Sequence, residues 1–145
     1  MKTKQFKISP VKGSSILKMS IKNSQDAFDA IKQFWTDDIE VYESFFILLL
    51  DRVNNTIGWA KISQGGICGT VVDKKIVCKY VVDSLASSVI LAHNHPSGSL
   101  RASKEDIKIT RDLKQCLLLF DCQLFDHIIV TPNGSYTSIA DTEGI

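Results

Sequence analysis

Residues 43–51 read ESFFILLLD, six apolar side chains in a row between acidic ends. A strand with one wet face alternates apolar and polar residues, whereas an unbroken run this short reads as a strand covered on both faces. A chain containing such a strand has to supply packing layers to both sides of a sheet, and the rest of the sequence is read for those layers.

Helical and extended patterns alternate around this run. In NSQDAFDAIKQFW, Asn23 or Ser24 is the helix cap, and Ala27, Ala30, Ile31, Phe34 and Trp35 share one face. NNT turns the apolar run back into IGWAKIS, predicting two paired strands. After the break at GGICG, Asp73 caps DKKIVCKYVVDSLA, whose Ile76, Val77, Tyr80, Val81 and Leu85 fall at helical spacing. SVILAH is a short apolar strand, and a third helix begins at Ser103 and runs through IKITRDLKQCLLLF. QLFDHIIV, the turn TPNG and SYTSI complete the order as a second strand pair. The expected class is α+β, in α/β/α layers about a central mixed sheet, with residues 1–23 loosely ordered and 24–145 forming a single domain. Trp35 and Trp59 are expected in or beside the core.

Composition narrows the chemistry. With 145 residues, 44% hydrophobic and 23% charged, the chain fits one globular domain with a proper core. A net charge of +1 argues against a chain built chiefly to neutralise phosphates. The first 22 residues carry six lysines and no acid but no apolar stretch behind them, so neither a signal peptide nor a membrane span is expected, and a cytoplasmic location is. Cys68, Cys78, Cys116 and Cys122 contain no C-x-x-C pair, which disfavours a four-cysteine zinc site and predicts reduced, mostly buried thiols.

The chemistry concentrates in AHNHPSGSLRASKED, residues 92–106. His93 and His95 stand at or just past a strand end, two apart, so an extended backbone sends both imidazoles to one side. A zinc ion needs a third protein ligand and, in a hydrolytic site, leaves its fourth position to water. Asp106 is the local candidate, and the Pro96-Ser97-Gly98 turn lets the helix start fold back over the histidines. Each piece also has an ordinary reading. Paired loop histidines are commonly solvated surface, and Ser103-x-x-Asp106 is a standard helix N-cap with an acid at N3. Asp126 and His127 are expected to be a polar pair at a sheet end, with orientation of a ligand histidine as the alternative.

His93-x-His95-Pro96, seven residues, then Ser103-x-x-Asp106 resembles the JAMM motif of the JAB/MPN metalloprotease fold. HNHPSG, with LFDHIIV downstream and ESFFILLLD upstream, resembles its RadC branch, over roughly residues 24–140. The resemblance implies a helix-flanked, curved mixed sheet related to cytidine deaminases, in a short form lacking the N-terminal helix-hairpin-helix region. It implies zinc held by His93, His95 and Asp106, Glu43 as general base, and Ser103 helping to hold the developing oxyanion during hydrolysis of a peptide or isopeptide bond. Glu40 is the runner-up base; three positions earlier, it would face the opposite way from Glu43 in an extended segment. RadC proteins have been linked to DNA repair, so a non-catalytic scaffold module and a metal-dependent nuclease are the competing functions.

Neighbouring motif classes do not fit. A zinc deaminase needs H-x-E with P-C-x-x-C, and a thermolysin-like peptidase needs H-E-x-x-H; neither occurs. The HNH nuclease motif is spread over a hairpin and helix and is not three adjacent residues. Asp37, Asp38, Glu40, Glu43 and Asp51 form an acidic stretch expected to repel a phosphate backbone.

Overall fold

The computed structural model describes residues 3–5, 16–35, 39–65 and 70–145. Cys68, Asp37 and Asp38 lie outside these residues. The elements run α1 (Ser24–Lys32), β1 (Ser44–Leu50), β2 (Thr56–Gln64), α2 (Lys74–Ser84), β3 (Ser88–Asn94), α3 (Lys104–Leu118), β4 (Gln123–Val130), β5 (Tyr136–Ser138) and α4 (Ile139–Glu143). The strands form one mixed sheet in the order β2-β1-β3-β4-β5. Only β3 and β4 pair in parallel, with α3 as their crossover; the other neighbours are antiparallel.

The apolar run behaves as its composition requires: all seven residues of β1 are buried. Phe46, Leu48 and Leu50 pack toward α1 with Ala27, Ile31 and Phe34. Phe45, Ile47 and Leu49 pack on the other face with Val77 and Val81 of α2 and Leu113 and Leu117 of α3. Asn23 caps α1, accepting from the Asp26 N–H at 2.9 Å, and Trp59 stacks on Phe34 with centroids 4.8 Å apart. Asn54, at φ 63°, makes the turn between β1 and β2, and Ile21 and Met19 exchange backbone hydrogen bonds with Asn54 and Thr56.

Three expectations need correction. Of the five apolar residues assigned to the second helix face, only Val77 and Val81 are buried; Ile76 and Tyr80 are exposed, and Leu85 is 84% exposed. Leu85 is the C-cap of α2, in the left-handed region at φ 55°, so it ends the helix and does not extend its apolar stripe. SYTSI is not wholly a strand either. Ser138 caps a short α4 that begins at Ile139, an element absent from the expected order. Cys122 is buried, while the free Cys78 and Cys116 are half-buried with sulfurs 3.2 Å apart.

Candidate metal centre

The site is assembled where β3 ends. His93 is the penultimate residue of β3 and His95 follows it, and their side chains converge with Nε2 atoms 2.9 Å apart. The turn that follows has Pro96 and Ser97 at its centre and is closed by the Gly98 N–H on His95 O at 3.0 Å, with Gly98 at φ 82°. It delivers the start of α3 to the histidines: Asp106 Oδ1 lies 3.2 Å from His93 Nε2, and Oδ2 lies 3.4 Å from His95 Nε2. Ligand atoms of all three residues lie within 4.8 Å of one another.

The two readings of Ser103-x-x-Asp106 turn out to be one structure. Ser103 Oγ accepts from the Asp106 N–H at 3.0 Å, and Asp106 Oδ2 accepts from the Ser103 N–H at 2.7 Å, a complete capping box. The reciprocal bond aims the carboxylate, so the helix start that caps α3 also presents the third donor.

Hydrogen-bond partners fix the histidine tautomers. The Thr110 hydroxyl has a single proton and donates it to the Asp106 carbonyl at 2.6 Å, one turn back along α3. Its oxygen must therefore accept from His127 Nδ1–H at 2.7 Å. That leaves His127 Nε2 as acceptor from His93 Nδ1–H, also at 2.7 Å. His95 Nδ1–H donates to the Ser99 carbonyl at 2.8 Å. In neutral rings both Nε2 atoms would then carry the lone pairs, facing each other and a carboxylate, an arrangement that calls for a proton or a metal ion. A tetrahedral ion with ligands about 2.0–2.1 Å away separates its donors by about 3.3 Å. Each nitrogen lies at about that distance from one Asp106 oxygen, but from a different one, so capture of an ion asks the carboxylate to turn one oxygen toward both nitrogens and the nitrogen pair to open by a few tenths of an ångström. Two imidazoles and one carboxylate with an open side are a donor set that fits a divalent zinc ion.

The electrostatics agree with this demand for a cation. His95 is raised above its ordinary 6.5, chiefly by the Asp106 hydrogen bond, against the lowering effect of burial and with help from the Ser99 carbonyl and the Asp106 and Glu43 charges. Burial pushes Asp106 up, but the facing His93 and His95 outweigh it and hold the carboxyl well below the usual carboxylate range. His127 is fully buried; that burial, aided by the nearby His93, keeps it neutral.

His127 is therefore not a polar residue at a sheet end. It lies on β4 in register with Leu91, on the face that carries His93 two residues further along β3. Asp126 leaves the same strand on the opposite face, where it accepts from the Ser138 hydroxyl and the Ala140 N–H and braces the start of α4. A histidine inside the apolar strand LFDHIIV was the available signal, but its partner could be named only once β4 lay beside β3. Replacing His127 with leucine is expected to weaken zinc binding about 10- to 100-fold, because His93 loses the acceptor that sets its tautomer. Competition against a chromophoric chelator measures this; an unchanged affinity would remove His127 from that role.

Beside the His-His-Asp cluster is a cleft of about 150 Å³, lined in part by Glu43, Phe45, His93, Glu105, Asp106 and Ile109. Glu43 precedes β1, two residues before Phe45, which is paired with His93. Glu40 is exposed and does not line the cleft. Ser103 is exposed at the head of α3. Asp51 falls at the far end of the seven-residue β1, so it cannot contribute to a negative field at the cleft. Glu105 takes that part instead, a residue that spacing alone did not single out.

A layered α+β domain with a cation-seeking His-His-Asp cluster at a strand end is the class these features define. A family model described as "RadC-like JAB domain" matches residues 21–145, and the chain belongs to that family. It is 38% identical over 126 residues to a UPF0758 protein of Porphyromonas gingivalis, covering 87% of this chain and 54% of the relative. A UPF0758 protein of Flavobacterium johnsoniae is 39% identical over 135 residues, covering 92% and 57%. One from Coprothermobacter proteolyticus is 42% identical over 115 residues, covering 78% and 49%. The chain thus spans about half the length of the curated relatives it matches. Among the described residues, no helix is long and apolar enough to cross a membrane.

Proposed function

We propose that the protein is a zinc-dependent hydrolase of the JAMM type that cleaves an amide bond, peptide or isopeptide. The observation that carries this reading is the convergence of the His93 and His95 Nε2 atoms on the Asp106 carboxylate at the edge of a cleft that also contains Glu43. His93, His95 and Asp106 would hold the ion. A divalent zinc, when bound, supplies Lewis acidity and makes a neighbouring water acidic enough to be used near neutral pH. Glu43 is the general base: its carboxylate takes a proton from the attacking water and passes it to the departing amine. Phe45 and Ile109 help shield one wall of the cleft from bulk water, which strengthens these charges. Ser103 spends a lone pair on its cap and keeps its hydroxyl proton for a developing oxyanion.

Amide hydrolysis is favoured over phosphodiester cleavage because Glu43 and Glu105 line the cleft in addition to the ligand Asp106, a field that opposes an approaching phosphate backbone. The test is a panel of peptides, isopeptide-linked substrates and labelled DNA, each incubated with and without chelator. Wild-type protein is expected to cleave an amide substrate, to lose that activity to chelator and recover it with zinc, while His95→Ala stays inactive. Chelator-sensitive cleavage of DNA alone would reverse the ranking. Failure of the wild type to retain a transition metal would leave the scaffold reading in first place.

A further inference from the structure

The middle residue of His93-Asn94-His95 is fully buried, on the side of the strand opposite the two imidazoles. Its amide is held by backbone groups of the segment that carries Glu43. Asn94 Oδ1 accepts from the Ser44 N–H at 2.8 Å, and its two N–H bonds go to Tyr42 O at 2.7 Å and Ile39 O at 2.9 Å. These three bonds span the segment 39–44 on the side where it has no backbone ladder to β3: that pairing ends at Phe45 and His93, while the His95 N–H continues the β3–β4 ladder to Val130 O. The side chain continues the β1–β3 pairing where the backbone no longer can. On its other side the segment is tied through Glu43 O, which accepts from the Gly65 N–H at 2.8 Å.

Resting on the assignment of Glu43 as base, we infer that Asn94 is a positioning residue that holds the Glu43 carboxylate at the cation cluster. Strand alternation makes this economical: one tripeptide sends two ligands to one face and, on the other, anchors the segment bearing the base. Ordinary satisfaction of a buried amide does not require two of its three partners, Tyr42 and Ser44, to be the immediate neighbours of one residue of the cleft.

The inference separates from a merely structural role by coupling. Asn94→Ala is expected to lower kcat about 10²-fold on whichever panel substrate the wild type cleaves, since small displacements of a reacting group cost that much. KM and zinc stoichiometry should hold. The double variant Glu43→Gln/Asn94→Ala should be no slower than Glu43→Gln alone, because Asn94 acts through the carboxylate; multiplied losses would overturn the inference. A second arm needs no substrate. In protein loaded with Co²⁺ and carrying ¹³C-labelled glutamate, the Glu43 carboxyl resonance, assigned by its absence in Glu43→Gln, should be strongly displaced by the paramagnetic ion. In Asn94→Ala it should move back toward its position in the Zn²⁺ form while the cobalt visible spectrum, which reports the ligands, stays as in wild type. An unmoved Glu43 signal, or a lost cobalt spectrum, would reject the positioning role. If the alanine variant does not fold, Asn94→Asp decides: it keeps the acceptor for Ser44, loses both donors, and should give the same displacement in weaker form. Should no panel substrate be cleaved, the hydrolase reading fails while the cobalt arm still decides on Asn94.

Discussion

Glu43→Gln is expected to lower kcat by about 10²- to 10⁴-fold on any amide substrate the wild type cleaves, with zinc content unchanged. The asymmetry follows from placement. Glu43 shares the cleft with His93 and Asp106 but is not a member of the His93, His95 and Asp106 cluster. Glutamine preserves size and the ability to accept a hydrogen bond, and removes the negative charge and with it the capacity to take up a proton. Steady-state rates set beside metal analysis of the same preparations measure the effect. Full activity in Glu43→Gln would strip the residue of its role and turn attention to Glu105, the other non-ligand acid in the cleft.

The second large effect is on stability. Phe46 is completely buried, and its ring lies 5.5 Å from Phe34, 4.6 Å from Trp35 and 6.1 Å from Trp59, centroid to centroid. Phe46→Ala empties the centre of this aromatic group and is expected to cost about 3–5 kcal/mol, read as a lower denaturant midpoint with an unchanged slope. Its side chain faces α1, whereas Phe45 faces the cleft, stacked at 6.0 Å on His93. Zinc affinity measured under conditions where the variant stays folded should therefore match wild type. A stability loss below about 1 kcal/mol would mean the neighbouring rings collapse into the space.

These two residues show what the sequence makes legible. An unbroken FFILLL run between polar ends reads as a strand packed on both faces, so the layered architecture is legible in local pattern, and His93, His95 and Asp106 are close enough in the chain for one turn to join them. The face of α2 was less legible because Ile76–Tyr80 and Val77–Val81 both satisfy four-residue spacing. Only the position of the helix over β1, β2 and α3 selects the second pair. His127 and Asn94 were hidden for a related reason. Each gains its meaning from a partner on another strand or loop, through the β3–β4 register in one case and the 39–44 segment in the other. Single-sequence periodicity contains no information about strand order.

The reciprocal cap at the head of α3 ties metal retention to local order. The carboxylate that would grip the ion is the same one that fastens the Ser103 amide, so it is restrained before any ion arrives and gives up little rotational freedom on capture. The dependence also runs backwards: fraying of the first turn of α3 releases Asp106, and an ion held by Asp106 resists that fraying. Amide exchange at Ser103, Asp106 and Ile107 should accordingly slow when zinc is added, making the beginning of one helix a reporter of occupancy several bonds away from the histidines.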